Sequence, residues 1–213
     1  MKKSGSIPLL LAIVLASRAL LAAEPLYTNN FEAATVGKLP EGMMVMSGEF
    51  LVKEGADGKF LELPGEPLDT FGLLFGPTLG SDVSASARFF GTKTGRKFPT
   101  FGLSVNGVGG YKLQVSPGKK TLEIFKGDEP RMSVSYEWPS GTWTQLRIQV
   151  RKRGEKECIV EGKAWPAGSP EPKAWMLTLM DPEQPPAGRS GVWGSPYSGT
   201  PIQFDDLLVV PAS

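Results

Sequence analysis

Hydrophobic and polar residues alternate with a period of two along most of this chain. The clearest run is Thr144–Arg151, where Leu146, Ile148 and Val150 fall on one face and Gln145, Arg147, Gln149 and Arg151 on the other. This pattern predicts a strand with one face against a core and the other against water. Residues 81–90 repeat it, with Val83, Ala85, Ala87 and Phe89 opposing Asp82, Ser84, Ser86 and Arg88. Phe101-Leu103-Val105, Tyr111-Leu113-Val115 and Leu122-Ile124 continue it. Between them lie N-G-V-G-G (106–110) and S-P-G-K-K (116–120), whose Asn and Gly suit the positive φ of hairpin turns. Further strands are predicted at 48–53 and 59–63, flanking E-G-A-D-G, and at 71–75, 132–138, 158–165, 175–179, 191–194 and 202–210. The run M-M-V-M after Gly42 reads as a buried strand; its methionines imply no copper, which would call for Cys or His beside them.

Beyond the first 23 residues, no window of helical length keeps an i, i+3, i+4, i+7 apolar stripe free of Gly or Pro. The 26 Gly and 19 Pro are spread through the chain and cut it into short segments. The expected fold is therefore all-β, a two-sheet antiparallel jelly-roll sandwich. The lack of a repeat of blade length argues against a propeller.

Residues 1–23 have the three parts of a secretory signal peptide: Lys2 and Lys3, the apolar run Ile7–Leu15, then small residues ending in Leu21-Ala22-Ala23. The apolar run is shorter than the roughly 20 residues a membrane span needs, and Arg18 keeps it from extending further. Cleavage is expected after Ala23, with Ala19 as the alternative, leaving one sandwich domain over 24–213, soluble and secreted or periplasmic, with no stable membrane insertion. Loss of Lys2, Lys3 and Arg18 would move the formal charge from +1 to −2. Such a surface gives no electrostatic reason to bind nucleic acid. Cys158, the single cysteine, cannot form an internal disulfide and reads as a small buried hydrophobe, with a reactive thiol or an intermolecular bridge as the alternative.

Catalytic chemistry is constrained most by what is missing. The chain has no histidine, which removes Ser-His-Asp triads, Cys-His dyads, imidazole-ligated zinc and histidine acid–base catalysis. No G-x-S-x-G elbow occurs, and the loop G-T-K-T-G-R-K-F-P (91–99) lacks the residue order of a P-loop. The five tryptophans are the best candidates for binding, because an indole face stacks on the C–H face of a pyranose. Trp143, Trp165 and Trp175 read as packing residues. Trp138 and Trp193, with Tyr136 and Tyr197 nearby in Gly- and Ser-containing turns, form the candidate ligand surface. Arg96, Arg147 and Arg151 read as a solvated face, with contact to carbohydrate or an anionic glycan as the alternative.

Five segments together resemble the concanavalin A-like lectin/glucanase superfamily, in particular the LamG-like domains of secreted bacterial proteins. They are N-N-F-E-A-A-T-V-G-K-L-P-E-G (29–42), W-T-Q-L-R-I-Q-V (143–150), G-K-A-W (162–165), E-P-K-A-W (171–175) and the close G-R-S-G-V-W-G with F-D-D-L-L-V. The resemblance covers nearly all of 24–213 and implies that the first and last strands lie side by side. The domain assigned to 3-keto-disaccharide hydrolases has a similar close. The E-x-D-x-x-E strand of the superfamily's glucanases, which aims three carboxylates into the cleft, is absent.

Asp205 and Asp206 follow Phe204 in the expected last strand, where alternation sends their side chains to opposite faces. A carboxylate turned inward needs donors or a cation. The resemblance implies a structural calcium held by Glu32 with Asp205 or Asp206; the alternatives are pairing with loop amides or an Arg, or catalysis. The function these readings imply is a secreted, non-catalytic carbohydrate-interaction or accessory module whose partner is a glycan. A glycoside-processing enzyme related to the 3-keto-disaccharide hydrolases and a structural cell-envelope protein are the alternatives.

Overall fold

The computed structural model describes residues 24–212, so the expected signal peptide lies outside the described residues. The described residues form fifteen strands in order: β1 Tyr27–Asn29, β2 Met44–Ser47, β3 Leu51–Gly55, β4 Gly58–Leu63, β5 Phe71–Leu79, β6 Val83–Phe90, β7 Thr100–Val105 and β8 Tyr111–Ser116. They continue with β9 Thr121–Lys126, β10 Glu129–Ser135, β11 Thr144–Lys152, β12 Cys158–Pro166, β13 Leu177–Asp181, β14 Gly188–Ser195 and β15 Ile202–Pro211. They build two antiparallel sheets. One has eight strands in the order β13-β12-β11-β6-β15-β4-β3, with β1 also paired to β15; the other has seven in the order β10-β9-β8-β7-β14-β5-β2. The first and last strands pair as the resemblance implies, Tyr27 opposite Val209.

The period-two pattern decides which face of each strand is buried. Leu146, Ile148 and Val150 are fully buried, as are Ala85, Ala87 and Phe89 on β6 and Phe101, Leu103 and Val105 on β7. Phe89 stacks on Phe101 across the two sheets at 5.3 Å, and Phe204 meets Phe89 edge-on at 5.4 Å. Burial of each such ring contributes about 1.5–3 kcal/mol. The sheets approach so closely that a Cβ on Gly162 would stand 2.6 Å from Leu113 Cδ1 of the facing sheet.

Three departures from the expected pattern have identifiable causes. The Met43–Met46 run is not buried: β2 is the edge of the seven-stranded sheet, and Met44 and Met46 are each 51% exposed. The strand expected at 132–138 starts and ends three residues earlier, because the β9–β10 hairpin turns directly after Lys126, which pairs with Glu129. Asp205 and Asp206 do not point to opposite faces. Pairing of β15 with β6 shifts register between Asp205 and Leu208, Asp206 takes φ 49°, and both carboxylates reach Arg88.

Candidate functional site

The candidate site is a groove of about 450 Å³ on the outer face of the seven-stranded sheet. Alternation builds it. Tyr111, Leu113 and Val115 of β8 point into the core, so Lys112 and Gln114 point out; Leu122 and Ile124 of β9 do the same for Phe125. On β14, Val192 is buried and Trp193 faces the groove. Met46 and Ser47 of β2 form one rim, and the loops contribute Val108, Asp128 and Tyr197, the last 45% exposed.

Trp193 lies at the centre because its neighbours across both ladders are glycines, Gly72 on β5 and Gly102 on β7. The indole lies over Gly102: a Cβ there would be 2.7 Å from Nε1 and 2.8 Å from Cε2. The result is an aromatic ring in the groove with hydroxyl and amide groups around it. Thr70 and Ser195 share a hydrogen bond of 2.7 Å, Ser104 Oγ donates to Gly191 O at 3.3 Å, and the Gln114 amide donates to Ser116 Oγ at 2.7 Å. Lys112 Nζ stands 5.9 Å from the Trp193 ring centroid and 5.9 Å from that of Phe125, paired with Asp128 at 2.8 Å. The Lys112 ammonium holds the Asp128 carboxyl below its usual range.

The four aromatic candidates separate. Trp193 and Tyr197 line the groove together. Trp138 and Tyr136 do not. Past the end of β10 both pack on the core, Trp138 edge-on to Phe101 at 5.6 Å, and burial pushes the Tyr136 hydroxyl up to about 12. Among the groove residues not singled out from the sequence are Lys112, Gln114 and Phe125. Their signal was visible as the polar or alternate positions opposite Tyr111, Leu113 and Ile124, but nothing local says that this face lies beside Trp193.

The residues proposed to hold calcium do not fit it. Glu32 Oε1 accepts the Lys59 backbone N–H at 2.9 Å, and Asp205 accepts Arg88 Nε at 3.2 Å and the Asp206 N–H at 2.7 Å. Among the described residues no three carboxylate, Cys or His side chains gather into a metal site. Burial raises the Asp205 pKa, and the Arg88 guanidinium offsets part of the rise. This is the arginine-paired alternative.

The remaining tryptophans belong to the opposite sheet and its loops, where Trp143 also lines a smaller cleft with Phe60, Arg88 and Phe90. Trp143 is covered by Arg88, whose guanidinium carbon is 4.7 Å from the ring centroid, and by Phe90 at 5.6 Å. Trp175 caps Lys163, with Nζ 4.3 Å from its centroid, while Lys163 pairs with Glu171 at 2.7 Å. Arg147 and Arg151 are not a free solvated face, since they pair with Glu171 at 3.0 Å and Glu161 at 2.9 Å. Cys158 is fully buried, its thiol donating to Glu183 O at 3.3 Å and pushed up by burial.

No family model matches the chain, and no curated protein matches it by sequence. Solved structures do match. A Bacillus subtilis protein of unknown function with a galectin-like fold gives a TM-score of 0.61 at 12% identity, over 89% of this chain and 98% of that one. The carbohydrate recognition domain of Emp46p in its metal-free form gives 0.60 at 11% identity, over 91% of this chain and 100% of that domain. The Crh5 transglycosylase in its apo form gives 0.57 at 15% identity, over 90% and 85%. The fold is thus the galectin-like, concanavalin A-like sandwich.

Proposed function

We propose that the protein is a non-catalytic carbohydrate-binding module that takes a glycan in the groove of the seven-stranded sheet. The observation that carries this reading is Trp193, an indole seated over Gly102 in the groove with Gln114, Thr70 and Ser195 around it. An aromatic face supplies apolar contact to a sugar ring, and the surrounding hydroxyl and amide groups bind its hydroxyls. The neighbours lend support: the Emp46p domain is a carbohydrate recognition domain and the Crh5 transglycosylase is also known in complex with NAG. The leader read in residues 1–23 supports a role outside the cytoplasm.

Binding is favoured over glycoside hydrolysis by the carboxylates. Hydrolysis takes two carboxyl groups flanking one bond. Asp128 is the one carboxylate among the described groove-lining residues, and it is fully exposed at a turn. Glu123, on the neighbouring strand, is tied to Ser116 and Gln114. A glycan-array screen of the protein beside its Trp193→Ala variant tests the reading. Binding that is lost in the variant while its melting transition stays cooperative is the expected result. An array on which the folded protein binds nothing contradicts it.

A further inference from the structure

We propose that the groove selects acidic glycans, with Lys112 reading the carboxylate of a hexuronate and Asp128 serving as the counter-ion that the ligand displaces. This inference rests on the glycan-binding reading and adds a substrate class to it.

Three observations carry it. First, Lys112 is the one cation among the described groove-lining residues. The other basic groups close to this face are engaged elsewhere: Arg189 donates to Gly76 O at 2.8 Å, Lys126 pairs with Asp181 at 3.1 Å, and Lys119 reaches Glu123 at 3.4 Å.

Second, the Lys112 ammonium is placed for a substituent at the rim of a sugar. Its Nζ is equidistant, at 5.9 Å, from the centroids of Trp193 and Phe125. A pyranose stacked on the indole presents its ring edge sideways, and the carboxylate of a hexuronate with C5 equatorial projects from that edge. It would arrive at the rim of the stacked ring, within reach of a Lys112 ammonium that lies over the indole at 5.9 Å from its centroid. The Asp128 carboxylate at 2.8 Å and the two rings fix where the head group stands, and a head group already placed loses less entropy on binding.

Third, the present partner is replaceable. Lys112 is 24% exposed, whereas the Asp128 side chain is fully exposed on the β9–β10 turn. An ion pair with so solvated a carboxylate contributes little. A ligand carboxylate brought in by stacking forms the same charge-assisted bond with less water around it, and Asp128 swings out to solvent without leaving a buried group unpaired.

The test is calorimetric titration of the protein and its Lys112→Met and Asp128→Asn variants. The probes are tetramers of galacturonate and of glucuronate, each beside its methyl ester, which keeps the sugar and removes the charge. The wild-type protein should bind at least one acid tetramer about tenfold or more tighter than its ester, the scale of one hydrogen bond to a charged group. Lys112→Met should bring that ratio close to one, and Asp128→Asn should raise acid affinity several-fold; added salt should weaken acid binding more than ester binding. Equal affinity for acid and ester, or a preference that survives Lys112→Met, overturns the assignment of Lys112 and leaves the glycan reading standing. The same holds if neutral glycans bind on the array while neither acid tetramer does. Failure of every glycan to bind overturns both. Melting curves of the two variants establish that each is folded.

Discussion

Replacement of Gly102 by alanine isolates the feature on which the candidate site depends. The added methyl would stand 2.5 Å from the Leu113 carbonyl oxygen, 2.7 Å from Trp193 Nε1 and 2.8 Å from Cε2, where ordinary contact begins at 3.4 Å. The carbonyl belongs to the neighbouring strand β8 and cannot retreat without disturbing the β7–β8 ladder. The indole must therefore lift off the sheet. Overpacking of this kind costs about 1–3 kcal/mol. At about 2–4 °C per kcal/mol for a domain of this size, the melting temperature should fall by roughly 2–12 °C. Gly72 on the other side of Trp193 is the internal control, since a Cβ there meets nothing closer than 3.7 Å. Gly72→Ala should melt at or slightly above the wild-type temperature, because alanine restricts the unfolded chain. Differential scanning calorimetry measures both, and a change in the tryptophan emission, to which Trp193 is one of five contributors, reports the displaced ring. Should Gly102→Ala melt with Gly72→Ala and leave the emission unchanged, the seating of the indole described above is wrong.

Two further outcomes are expected from buried groups on the far side of the core. Burial pushes the Asp181 carboxyl up, but the Glu183 N–H and the Lys126 ammonium together outweigh it and hold its pKa below the usual range. A depressed folded pKa gives stability that is present above about pH 4 and lost as pH falls through the folded value. Thermal melts from pH 6 down to pH 2 should therefore show a steeper acid decline for the wild type than for Asp181→Asn; identical slopes would refute the assignment. Cys158, buried and with its thiol pushed up, should resist a thiol reagent at neutral pH until denaturant is added, and rapid labelling of the native protein would contradict its placement.

Strands with clean alternation were legible in the sequence because one side of each faces a single core. Thr144–Arg151 is strand β11 with one residue added, and its apolar face is the buried one. Two of the failures, at Met43–Met46 and at Asp205 and Asp206, share one cause, namely that they depend on sheet order, which is not local. Nothing in Met43–Met46 says that this strand lies at an edge with no neighbour beyond it. Nothing in F-D-D announces a register shift against β6 that turns both carboxylates toward Arg88. The site divides in the same way. Trp193 and Tyr197 could be chosen from their own surroundings, whereas Lys112, Gln114 and Phe125 join them only because β14 inserts between β7 and β5, with β7 alone separating it from the β8–β9 hairpin. Trp138 misled because adjacent glycine and serine mark a turn without saying whether the side chain leaves the turn toward solvent or toward Phe101.

The most direct test of glycan binding at Trp193 uses the five indole N–H groups as separate reporters in a two-dimensional ¹⁵N NMR titration with glycans that score on the array. The predicted result is a saturable shift of the Trp193 resonance, with Trp138 and the three tryptophans of the opposite sheet moving little. A titration that moves Trp143, Trp165 or Trp175 and leaves Trp193 in place would put the glycan on the other face and contradict the groove as its site.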